Sequence, residues 1–453
     1  MNQKQSLISF SENGKPIHSS AYRFRRILNW LPLGLTYAFL YMARYNLTVS
    51  KNALGNLMTK EDFGIIFAAG TITYAFSFLI NGPLTDKFGG KTSILASAGG
   101  SSIMNILMGL FLYGILTLNW NINLTVIFSL LYSVNMYFQS FGAVAIVKVN
   151  SAWFHVKERG IFGGIFGILI SLGLYFAFDW SQFVVNTTIK LNPEQPSFWL
   201  VFWVPALILI FWFLLDIFLI RDNPSQAGFQ NFNTGDATSG EDDVKYRLFE
   251  VIKKIFTNKI IIIVGLIEFC TGVIRNGVMH WFPIYAKEQL EFNSGWNFWL
   301  NNWGLILMIA GASGGMLAGW MSDKLFGSRR APVAGILYST ILIATIGMSF
   351  TLYNNPIGLG IFVSIISIAV IGTHGMLSGT ATMDFGGKKA AGTAVGLIDG
   401  LVYLGTGVQS LSLGFITTYN WKFWPIFLIP FILMGIFLTI KIWHAFPKGK
   451  PSH

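Results

Sequence analysis

Charge is what this sequence has least of. Only 11% of its 453 residues are Asp, Glu, Lys or Arg, where a soluble domain carries about 25%. A chain so poor in charge is not a soluble globular protein. Cysteine is almost missing too: Cys270 stands alone, which excludes an internal disulfide. The first 20 residues are polar and lack the apolar core of a cleavable signal peptide. No ten-residue stretches of alternating hydrophobicity occur, so a membrane β-barrel is not expected. No nucleophile–base set, metal-ligand cluster or phosphate-binding loop stands out, so neither an enzyme, a cofactor nor a metal is expected.

What is present is apolar. Hydrophobic residues make up 53% of the chain, and mean hydropathy is +0.56. Glycine is abundant at 48 residues, as suits helices packed closely in lipid. A membrane-crossing helix needs about 20 mostly apolar residues. Twelve such stretches occur, at 27–48, 62–83, 92–115, 124–147, 160–185, 198–220, 260–286, 297–320, 331–353, 356–380, 391–418 and 422–444. The expected fold class is therefore an all-α integral membrane protein.

Lys and Arg fix the expected orientation. With both termini in the cytoplasm, 24 of them fall on the cytoplasmic side and five outside, while Arg44 and Arg275 lie within spans. This is the positive-inside asymmetry. It accounts for the net charge of +11 without a nucleic-acid partner. The longest hydrophilic stretch, "RDNPSQAGFQNFNTGDATSGEDDVKYR", reads as a flexible linker, followed by an amphipathic "YRLFEVIKKIF" suited to the membrane surface. The expected layout is a cytoplasmic tail (1–26), a six-helix bundle (27–220), a linker (221–259), a second six-helix bundle (260–444) and a short tail (445–453).

The two bundles repeat each other. "GPLTDKFGGK" follows the second span and "GWMSDKLFGSRR" the eighth, which places Asp86 and Lys87 opposite Asp323 and Lys324, 237 residues on. Such turns, with Glu158 and Arg159 after the fourth span, are candidates for a cytoplasmic gate. The arginines follow the same repeat: Arg44 precedes Asp86 by 42 residues, and Arg275 precedes Asp323 by 48. A guanidinium costs several kcal/mol in hydrocarbon, and snorkelling to the interface or a structural ion pair is the plain alternative. Two planar forks facing one cavity suit a phosphate dianion. An empty cavity holding both charges resists closing, which favours obligatory exchange. Tyr37 and Tyr41 share the helix face of Arg44. Tyr74, Gln139, His280 and Asp399 are further polar candidates for substrate binding, although a histidine in a bundle, His280 or His374, is more often packing. Glu268 and Asp399 are candidates for proton coupling. Glu268 lies seven residues before Arg275, about 10 Å along a helix, too far for direct pairing.

The G-x-x-x-D-K turns, "KERG" and the six-plus-six layout resemble the major facilitator superfamily, whose fold is two pseudo-two-fold-related six-helix bundles. More narrowly, "YMARYNL", "RDNPSQAG", "IRNGVMHWFPIYAKE", "AGWMSDKLF" and "GGKKAAGTAVGLIDGLVYLG" resemble the organophosphate:phosphate antiporter family, the group of bacterial glycerol-3-phosphate and hexose-phosphate transporters. The resemblance implies that Arg44 and Arg275 bind phosphate in a cavity lined by Tyr37, Tyr41, Tyr74 and Gln139. The chain departs from that pattern at Ile170, where a fifth-span histidine is missing, and at Tyr45, Phe78 and Ala143. The resemblance implies exchange of an organophosphate for inorganic phosphate by alternating access; the compact tails and the absence of long glycosylatable loops point to the bacterial inner membrane, and a monomer is expected. Proton-coupled uptake of an organic anion and a transporter-like sensor of sugar phosphates are the alternatives.

Overall fold

The computed structural model describes residues 17–155, 158–232, 234, 259–327, 329–353, 355–381 and 391–444, without the side chains of 159–166, 379–381, 391–395 and 397. Most of the expected linker, its amphipathic end and the outer parts of both tails lie outside the described residues.

Twelve helical spans follow one another, and no strand occurs among the described residues. In the first half they are α1 (Ser20–Leu54), α2 (Lys60–Phe88), α3 (Gly90–Thr117), α4 (Leu124–Trp153), α5 (Arg159–Tyr175, continuing through a π turn Phe176–Trp180 into Ser181–Leu191) and α6 (Leu200–Leu219). In the second half they are α7 (Lys259–Met279, then Trp281–Gln289), α8 (Trp296–Trp320 with a π turn Met321–Leu325), α9 (Arg330–Thr351), α10 (Pro356–His374 with a π turn Gly375–Ala381), α11 (Ala391–Tyr419) and α12 (Phe423–Lys441).

The helix starts are written in the sequence. The Ser19 hydroxyl accepts the Tyr22 N–H, which begins α1 at Ser20, ahead of the apolar stretch. Thr59 and Asp62 form a reciprocal capping box at α2. Asn123 and Asn355 cap α4 and α10, the latter with Pro356 as its first residue. Gly89, at φ 88, makes the reversal into α3 that an L side chain resists.

Ten of these spans are long and apolar enough to cross a membrane. The other two, α1 and α11, have 35 and 29 residues and so the length, but polar side chains such as Arg44, Asn46, Asp399 and Gln409 dilute them.

Packing repeats between the halves. In the first, α4 packs on α2 and α3, α6 on α3 and α1, and α5 on α1. In the second, α10 packs on α8 and α9, α12 on α9 and α7, and α11 on α7. The halves then meet through α2 against α11 and α5 against α8, which the same two-fold operation exchanges. Both interfaces are tight. A Cβ on Gly64 of α2 would stand 2.6 Å from the Ser410 carbonyl oxygen and 3.0 Å from the Gly414 Cα of α11. Small residues here let two backbones touch.

The halves are clamped together at the end that carries the α1–α2 and α7–α8 turns. Lys60 Nζ sits 3.2 Å from Glu288 Oε2 and donates to the Thr417 carbonyl. Trp421 Nε1 donates to the same Glu288 oxygen, and Asn52 donates to the Pro283 carbonyl. Nearby, Asp179 of α5 accepts the Gly304 and Leu305 N–H groups of α8 at 2.6 and 3.0 Å. At the opposite end the described ion pairs stay within one half: Asp86 with Lys148, Glu158 with Arg26, and Asp323 with Arg330.

Candidate substrate-binding site

Arg44 lies wholly inside the protein, at 0% exposure. It does not snorkel. The backbone that carries it is pinned first. Asn105 of α3 and Asn135 of α4 both donate to the Ala43 carbonyl, at 3.0 and 3.1 Å. Tyr132 of α4 donates to the Arg44 carbonyl. The guanidinium is then aimed by three side chains. Nε donates to Gln139 Oε1 at 2.7 Å, Nη1 to the Tyr403 hydroxyl at 2.8 Å and Nη2 to the Tyr74 hydroxyl at 3.3 Å. It also lies over the rings of Tyr41 and Tyr74, 5.0 and 4.6 Å from their centroids. No carboxylate pairs with it among the described residues, so its charge is held by dipoles and π faces alone. An anion entering here meets a cation that is desolvated, oriented and not neutralised.

Tyr403 belongs to α11, in the second half. Its ring lies 4.2 Å from that of Tyr74, so Arg44 reads both halves at once. Arg275, on α7, lies across from it: Tyr45, Tyr403 and Tyr41 are its electrostatic neighbours, together with Glu268. Its guanidinium makes no hydrogen bond or ion pair among the described residues, and its Nε is buried. Tyr37 contributes a ring edge-on to Tyr41, centroids 5.5 Å apart.

The remaining candidates divide. Glu268 does not pair with Arg275; its Oε2 lies 2.7 Å from His374 Nδ1 on α10. Asp399 accepts the Ser378 hydroxyl and lies in the electrostatic neighbourhood of His374, Glu268 and Arg275. His280 is turned to the clamped end. Its Nδ1 lies 2.7 Å from Thr48 Oγ1, and the rings of Tyr45, Phe67 and Phe178 enclose it. It joins α7 to three helices of the first half rather than facing Arg44.

Neither turn pairs its aspartate with the lysine next to it. Asp86 reaches Lys148 of α4 at 2.7 Å, while Lys87 lies over the Phe88 ring. Arg330 of α9, not Lys324, meets Asp323, at 3.5 Å. Glu158 accepts both bonds from Arg26 Nη1 at 3.1 Å and the His155 N–H. Burial raises its pKa, but these partners and His18 outweigh that and bring it down to about 2. The side chain of Arg159, and the whole of Lys157, lie outside the described residues.

Tyr403, Asp179 and the Lys60–Glu288 clamp are not among the residues that the sequence singles out. Asp179 sits in the apolar run "FAFDW" and was visible as an acid in a span. Tyr403 stands one turn after Asp399 and on its face, the only sign that it lines the same cavity.

Arginines, tyrosines and amides gathered between two six-helix bundles are the layout of a membrane transporter. The Major Facilitator Superfamily profile matches residues 33–410, and the chain belongs to that superfamily. It is 26% identical to the "Glycerol-3-phosphate transporter" of Bacillus subtilis (strain 168), over 95% of both chains. It is 23% identical to the "Probable hexose phosphate transport protein" of Chlamydia pneumoniae, over 95% of this chain and 94% of that one. It is also 23% identical to the "Membrane sensor protein UhpC" of Escherichia coli (strain K12), over 88% of both. These names match the organophosphate group that the motifs resemble. Among solved structures, a bacterial homologue of the human lysosomal transporter Spinster, in an inward-facing and unoccupied conformation, superposes with a TM-score of 0.72. It is 15% identical and covers 96% of this chain and 100% of its own. That likeness carries the fold.

Proposed function

We propose that this protein exchanges an organophosphate of the glycerol-3-phosphate or sugar-phosphate type for inorganic phosphate, by alternating access. One observation carries the reading: each half brings a guanidinium with no ion-pair partner among the described residues to the same tyrosine-lined space, the wholly buried Arg44 on α1 and Arg275, whose Nε is buried, on α7. Two such forks match the charge and the oxygen count of one phosphoryl group. A phosphate held by both stitches the halves together, whereas an empty cavity leaves two like charges in low dielectric. The names of the relatives support phosphorylated substrates. The charge asymmetry supports cytoplasmic termini in a bacterial inner membrane, and a monomer suffices because one chain holds both arginines.

The test is uptake of labelled phosphate into liposomes bearing the purified protein. Rapid uptake that needs internal phosphate, and that glycerol 3-phosphate or a hexose phosphate inhibits, supports exchange. Uptake independent of internal phosphate but driven by a pH gradient contradicts it. One relative is named a sensor, which favours a second reading: phosphate binding with no exchange at all points to sensing.

A further inference from the structure

We propose that Glu268 and His374 form a proton-binding pair that takes up a proton when a phosphate dianion fills the cavity. The inference rests on the reading of Arg275 as an anion ligand.

The geometry is that of a shared proton. Glu268 is completely enclosed, while the His374 side chain keeps 22% of its surface exposed. Glu268 Oε2 and His374 Nδ1 are 2.7 Å apart. Glu268 Oε1 is buried and has no hydrogen-bond partner among the described residues. An ionised carboxylate is acceptor-only and offers about four lone-pair sites, so a dry one with a single filled site is poorly satisfied. One proton on the pair removes that penalty, and it can rest on either partner without moving a side chain. His374, the exposed member, is where the proton enters.

Among the described residues, few groups surround the pair. From α7 itself they are Arg275 and Cys270. Tyr338 faces Glu268 from α9, and Asp399 faces both members from α11. Along their apolar stretches α8 and α12 carry no titratable residue. Arg275 is the one permanent cation in this set. It stands two helical turns from Glu268, about 10 Å along the axis. Its charge is the one feature here that opposes a proton on Glu268. A dianion seated on Arg275 cancels that opposition and adds negative charge beside two acids, so it draws a proton onto the pair. Linkage makes the effect reciprocal: the protonated pair binds the dianion more tightly. Exchange then carries the proton in with each phosphate and returns it with each departing organophosphate.

The experiment is calorimetric titration of inorganic phosphate into the full-length protein, in two buffers of different ionisation heat, for wild type, Glu268→Gln and His374→Gln. Phosphate's own titration is common to all three. The expected result is a proton uptake per bound phosphate that is larger in wild type, by up to about one proton, with phosphate still bound by both variants. Equal proton counts in all three overturn the pair. Infrared titration judges it independently of phosphate. A carboxylic-acid carbonyl band that grows as the pH falls, and that is missing in Glu268→Gln, is expected; its absence in wild type overturns the inference. If wild type binds no phosphate yet shows the band, the exchange reading fails and the proton site stands.

Discussion

At the scale of residues, Arg44 is held by what a phosphate would have to replace. Its Nη1 bond to Tyr403 and its Nη2 bond to Tyr74 occupy donors that point into the space between the halves. Gln139 holds Nε from the side and belongs to the scaffold. A hydrogen bond to a charged donor is worth about 1.5–3 kcal/mol, and a buried donor left without a partner costs a similar amount. Tyr403→Phe therefore destabilises the empty protein more than the occupied one. The expected outcome is a lower melting temperature without ligand and a larger rise on adding phosphate than in wild type. An equal or smaller rise would mean that phosphate does not take the place of Tyr403. The sequence made Arg44 and Arg275 legible because a guanidinium in a span is conspicuous. It could not show Tyr403, since a tyrosine in an apolar helix is ordinary, nor the partner of Glu268, since His374 lies 106 residues away.

The helices were largely legible as elements, and for a simple reason. In lipid every backbone group must be satisfied within its own helix, so length and hydropathy nearly suffice to find the spans. What the pattern hides are the π turns in α5, α8 and α10 and the break in α7 at His280, because hydrogen-bond register leaves no mark on hydropathy. The contact of α2 with α11 lies beside the clamp, where Lys60 donates to the Thr417 carbonyl. In Gly64→Ala a methyl group meets the Ser410 carbonyl at 2.6 Å, against backbone that cannot retreat. With Cys270→Ser as background, a probe cysteine introduced by Asn52→Cys should react faster with a membrane-impermeant maleimide when Gly64→Ala is added. An unchanged rate would show that this contact does not hold the end shut. At the opposite end, Arg26 of α1 is tied to Glu158, ahead of α5. Because the folded pKa of Glu158 is depressed, from 4.5 to about 2, its contribution is full above the unfolded value and lost as pH falls through the folded one. Glu158→Gln should cost about 2 kcal/mol at neutral pH, after discounting for partial exposure. The difference in melting from wild type should shrink below about pH 4.5. A difference that does not vary with pH would place the effect in packing rather than in the ion pairs.

The whole molecule is two copies of one plan, and each copy brings an arginine to the seam. The repeat was readable in the spacing of Arg44 to Asp86 and Arg275 to Asp323; the seam was not, because the partner helices α2 and α11 are more than 300 residues apart in the chain. The central claim is that both arginines grip a single phosphate, and the most direct measurement is a double-mutant cycle on phosphate affinity. Wild type, Arg44→Lys, Arg275→Lys and the double variant would be titrated with inorganic phosphate at fixed ionic strength. Lysine keeps the charge but loses the fork. The account predicts that each single change weakens binding by about tenfold or more, and that the double variant loses markedly less than the product of the two, because one ligand is shared. Losses that multiply independently, or a variant that binds as tightly as wild type, would contradict it.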